Sequence, residues 1–140
     1  HSDLRADSKA MTARMLTAVA NPHTDVLGHC TGRLVIGRRQ RNGTQKPRPE
    51  STFDAEAVFG ACVEFGTAVE INSRPERQDP PDDLIQLALD AGCLFSIDSD
   101  AHAPGQEAHA PAAADRRPSV QTLACLGLSQ IDDPVARRPG

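Results

Sequence analysis

The stretch STFDAEAVFGACVEFGTAVEIN, residues 51–72, reads as a helix that runs straight into a strand. Ser51-Thr52-Phe53-Asp54 is a capping-box-like start and predicts a helix over 52–65. Phe53, Ala57, Val58, Ala61, Cys62 and Phe65 recur at helical spacing and supply one apolar stripe. Gly66 ends the helix, because glycine adopts the left-handed cap without a Cβ clash. Thr67 to Asn72 then reads as a strand.

The same unit recurs on both sides. Upstream, 6–20 reads as a helix capped by Asp7, with Met11, Met15, Leu16 and Val19 on its apolar face. Asn21-Pro22 stops it, since proline disfavours helix in the residue before it. Asp25 to Cys30 follows as a short strand with Val26 and Leu27 buried. Downstream, the turn-rich segment Ser73 to Pro80 leads to a helix with Pro81 in its first turn. Leu84, Ile85, Ala88 and Leu89 form its buried face, Gly92 ends it, and Cys93 to Ile97 is an apolar strand. Residues 31–50 break the rhythm. They carry Arg33, Arg38, Arg39, Arg41, Lys46 and Arg48 among glycines and prolines, and read as a long loop.

Regular helix–strand alternation predicts an α/β fold, either an open parallel sheet or a (β/α) barrel. In both, the C-terminal strand ends gather on one face, where chemistry collects. That rule brings together His29, the pair Glu70 and Asn72, and Asp98 to His102. His1 stands where a further strand would end, just before the first helix. From about Gln106 the sequence turns rich in alanine, proline and arginine. Residues 106–119 and 132–140 are expected to be disordered, with only Val120 to Ile131 able to pack. The expected organisation is one domain over 1–105 and a low-complexity tail over 106–140.

The totals narrow the class. The chain has 140 residues, 39% of them hydrophobic, so it is long enough to bury a core. Aromatic residues make up only 3%, which leaves Leu, Val, Ile, Ala and four Phe to build it. A net charge of −4 argues against a general nucleic-acid coat but not against local recognition of phosphate. Cys30, Cys62, Cys93 and Cys125 are too widely spaced for a CxxC zinc pattern and are expected as buried free thiols in a reducing cytoplasm. No apolar run approaches the ~20 residues of a membrane span, so no membrane partner is expected.

Imidazole nitrogens and carboxylate oxygens converging at strand ends are the donor set of zinc, manganese and iron. Asp100-Ala101-His102 carries one of each on a single strand end. His23, in a connecting segment, and His109, in the tail, are expected to be ordinary hydrogen-bonded residues rather than ligands.

Three motifs stand in order. Gly28-His29-Cys30-Thr31-Gly32-Arg33 resembles the Gly-His-x-Thr-Gly-Arg motif of the PHP (polymerase and histidinol phosphatase) superfamily. Val69-Glu70-Ile71-Asn72 resembles its following strand, and Asp98-Ser99-Asp100-Ala101-His102 its terminal Asp-x-His motif. The resemblance runs from His1 to about Gly105 and is strongest to PHP domains fused to bacterial family X DNA polymerases and their stand-alone relatives. It implies the C-terminal part of a distorted seven-stranded (β/α) barrel and hydrolysis of phosphate esters by metal-activated water. It also implies divalent metal ions (zinc, manganese or iron) held by His1, His29, Asp100 and His102, with Arg33 offered to the substrate phosphate. The family's bridging Glu lies in an earlier motif, so Glu70 and Asp98 are read as supporting residues that orient a ligand. The expected partner is a phosphoester, a small molecule or a nucleic-acid end.

The chain departs from the pattern at its start, where the family's His-x-His motif and further ligands would precede His1. The expectation is a fragment that is poorly stable and weakly active or inactive alone, and that needs the missing barrel half or a partner chain. Two other readings stay open: a non-catalytic fragment that binds a metal or a protein, and a nucleic-acid-binding module that uses the basic loop.

Overall fold

The computed structural model describes residues 4–98, apart from the side chains of Arg38 and Arg39. Helix α1 spans Ser8–Val19, and the Asp7 carboxylate caps it by accepting the Ala10 N–H at 2.8 Å. Strand β1 is Val26–Leu27. Strands β2 (Leu34–Arg39) and β3 (Gln45–Arg48) follow, then α2 (Ala55–Phe65), β4 (Ala68–Asn72), α3 (Asp82–Ala91) and β5 (Phe95–Asp98).

β1, β4 and β5 form one parallel sheet in that order. The α/β expectation holds, with α2 and α3 as the connections between parallel strands. The described residues form an open three-stranded sheet, not a closed barrel. The tail lies outside the described residues.

Side chains alternate across a strand, and β4 uses both faces. Val69 and Ile71 are fully buried, Val69 with Val58, Phe59 and Cys62 of α2, and Ile71 with Ile85 of α3. Met11, Met15 and Val19 extend this core onto α1, and Phe53 meets Phe59 edge-on at 6.2 Å between ring centres. Glu70 and Asn72 take the opposite face of β4 and are also buried.

Several expectations need correction. Segment 31–50 is not a loop, because β2 and β3 pair as an antiparallel hairpin across Gln40–Thr44. The signals were there: β-branched Val35 and Ile36, and Asn42-Gly43, a strong hairpin-turn dipeptide. Gly43 sits at φ 81°, and the Asn42 side-chain oxygen accepts from the Thr44 N–H and hydroxyl. The ladder slips near Gly37, where a Cβ would lie 1.9 Å from the Lys46 carbonyl oxygen, so only glycine allows that approach.

Helix α2 starts at Ala55, capped by Asp54 through the Ala57 N–H at 3.0 Å. Ser51 is instead buried outside the helix, donating its N–H to Thr31 and its hydroxyl to Leu4. Phe59, outside the expected stripe, is fully buried, while two members of that stripe are exposed: Ala57, and Phe65 at 52% in the last turn. Val26 and Leu27 are half-buried rather than buried, because β1 has one described neighbour. Pro81 caps α3 from outside, and Asp82 and Asp83 occupy the first turn, where the helix dipole favours them. Gly66 and Gly92 close α2 and α3 as expected.

Candidate functional site at the strand ends

Among the four expected metal ligands, His29 lies within the described residues. It follows β1 by two positions in an uncommon left-handed conformation, φ 27°. The Glu70 carboxylate holds it there, accepting the His29 N–H on Oε2. Its other oxygen accepts from the Asn72 side-chain amide at 3.0 Å. Asn72 is fixed in turn: its N–H donates to the Asp79 carbonyl and its side-chain oxygen accepts from the Arg74 N–H. Gly28 completes the fit, since a Cβ there would stand 3.1 Å from Glu70 Oε2.

Glu70 is 4% exposed. Burial pushes its carboxyl above the usual range; the His29 N–H, the His29 charge and the Asn72 amide pull it down, while Asp98 adds to the rise. The sequence reading of Glu70 as a supporting residue fits this geometry. Its oxygens hold the backbone and amide that shape the turn.

The rest of the Gly28–Arg33 turn is pinned from three further sides. The buried Thr31 donates its N–H and hydroxyl to Asp79 Oδ1 at 3.0 and 2.7 Å. Its carbonyl accepts from Ser51. Arg48 donates to the Gly32 carbonyl. Arg33 donates its N–H to the Thr31 hydroxyl, and its side chain is half-exposed. Sequence reasoning missed Asp79, which is fully buried, and the role of Thr31. A buried aspartate beside prolines in a turn-rich segment has no periodicity to mark it.

At β5, Asp98 stands in register with Asn72, and its carbonyl accepts the Ser73 N–H at 2.8 Å. The structure therefore brings His29, Glu70, Asn72 and Asp98 to one end of the sheet. His1, Asp100 and His102 lie outside the described residues. Among the described residues no group of three or more His, Cys, Asp or Glu is placed to hold a metal ion. His23 is exposed in the turn after α1. Cys30, Cys62 and Cys93 are buried and free. Among the described residues no helix is long and apolar enough to cross a membrane.

No family model matches the chain. The chain is 31% identical over 102 residues, 73% of its length, to the DNA polymerase/3'-5' exonuclease PolX of Bacillus subtilis (strain 168), and it spans 16% of that relative.

Proposed function

We propose that this chain carries part of a metal-dependent phosphoesterase site of the PHP type, with His29, His1, Asp100 and His102 as its ligands. The observation that carries the reading is the held conformation of His29. A buried carboxylate and an amide in series fix a histidine in a costly backbone geometry at the strand ends. Such over-determination suits a ligand that must not move. Similarity to a polymerase/3'-5' exonuclease supports a nucleotide-related hydrolase.

A bound divalent ion would supply an acidified water and a clamp on the phosphoryl group. Glu70 and Asn72 hold the His29 turn, and Arg33 is the residue offered to substrate phosphate. Metal occupancy can be read without turnover.

Metal binding is therefore the direct test. Calorimetric titration of the purified chain with zinc or manganese should give one or two weak sites that His29→Ala removes. Binding indifferent to His29→Ala would overturn the assignment. Any hydrolysis of a model phosphodiester should vanish with EDTA, and hydrolysis that survives EDTA contradicts the metal mechanism.

A further inference from the structure

Asparagine is a thermolabile residue, because its side-chain carbonyl lies within reach of the next backbone nitrogen. The chain has three asparagines, and their settings differ. Asn21 is followed by Pro22, whose nitrogen carries no hydrogen and cannot attack. Asn72 is 1% exposed, with its amide nitrogen donating to Glu70 and its oxygen accepting from the Arg74 N–H. Asn42 is exposed in the turn between β2 and β3 and is followed by Gly43.

Three features of that turn favour attack of the Gly43 nitrogen on the Asn42 side chain. Gly43 has no side chain to crowd the approach, and the space around it is open. The Asn42 side-chain oxygen accepts from the Thr44 N–H at 3.1 Å and from the Thr44 hydroxyl at 2.7 Å. Those two donors polarise the carbonyl and stand where negative charge grows during attack, as an oxyanion hole does. Residues 31–49 hold six cations and no acid, which favours an anionic intermediate and an anionic product. One bond opposes attack: Gly43 donates its N–H to the Gln40 carbonyl at 2.9 Å. In an exposed turn that bond opens at little cost.

We infer that Asn42-Gly43 is a self-modification site that converts the asparagine to aspartyl and isoaspartyl forms, with the two Thr44 donors as its oxyanion hole. The Gly43 nitrogen gives its proton to solvent base and bonds to Asn42 Cγ. The Cγ–Nδ2 bond breaks, and ammonia leaves with a proton from water. Water then opens the cyclic succinimide. Opening at Cγ gives a normally linked aspartyl residue, and opening at the backbone carbonyl gives the β-linked isomer. Either product puts a carboxylate where an amide stood, inside the basic hairpin. The β-linked form also lengthens the main chain between Arg39 and Gln45, which pair across the ladder. The step consumes only water and is independent of the proposed metal site.

The test incubates the full chain in mildly alkaline buffer, follows ammonia release and maps the products by peptide mass spectrometry. In the native chain Asn42 should exchange its amide for a carboxylate while Asn21 and Asn72 stay intact. Thr44→Val removes the hydroxyl donor and should slow native conversion roughly two- to tenfold. Thr44→Ser keeps a hydroxyl and should hold the rate. In urea, where the turn is lost, the unsubstituted chain and Thr44→Val should convert equally. Three results would overturn the inference: an Asn42 that stays intact in the native chain after the urea-unfolded chain has converted, native conversion indifferent to Thr44→Val, or a Thr44→Val effect that persists in urea.

Discussion

His29 shows how a single residue's setting differs from its motif. The motif named the imidazole, while the structure shows what positions it: a left-handed backbone tied to Glu70 and, through Asn72, to Asp79. Glu70→Ala leaves a partly buried N–H without its acceptor and should cost about 1–3 kcal/mol in urea unfolding. Thr31→Val keeps the shape of the side chain but removes the hydroxyl bond to the buried Asp79 carboxylate, and a loss of similar size is expected. A null effect in both would mean that the turn is held otherwise. Much of this was legible in part. Glu70's supporting role followed from the order of motifs, but its partner, the backbone of His29 rather than the imidazole, is a fact of folding that spacing does not carry.

The thiols act at this scale too. Burial pushes Cys62 up to about 12 and Cys93 to about 11, and Cys30 well above its usual value. Raised folded-state values mean that these thiols stabilise the fold below the ordinary thiol value of 9.0 and lose that contribution as pH rises through 11 and 12. In a Cys125→Ser chain, a thiol reagent at pH 8 should label almost nothing until urea is added. Rapid labelling of the native chain would contradict the burial.

Elements were read well where periodicity is strong. Helices α1, α2 and α3 and the parallel strands β4 and β5 follow from apolar spacing, caps and closing glycines. The hairpin was hidden because six cations and interspersed glycines and prolines outweigh its short apolar run, even with Asn42-Gly43 in the turn. Gly37→Val drives a side chain into the Lys46 backbone, so it should open the hairpin and speed tryptic cleavage over 38–48. Unchanged cleavage would argue against the β2–β3 pairing. On α2, Phe59→Ala should cost about 3–5 kcal/mol, whereas the exposed Phe65→Ala should stay within about 0.5 kcal/mol. Reversal of that order would restore the stripe inferred from spacing alone.

At the scale of the whole molecule, three parallel strands gather chemistry at one end, as alternation demands. The charge pattern has the same scope. An acidic chain carries six cations and no acid over 31–49, a concentration that the total of −4 hides. On the proposed function, His29 belongs to a metal centre built from nitrogen and oxygen donors. X-ray absorption on the zinc-loaded chain tests it most directly. Only nitrogen and oxygen neighbours at about 2.0–2.2 Å are expected, with an imidazole signature reduced in His29→Ala. Sulfur neighbours at about 2.3 Å, or a spectrum unchanged by His29→Ala, would contradict it.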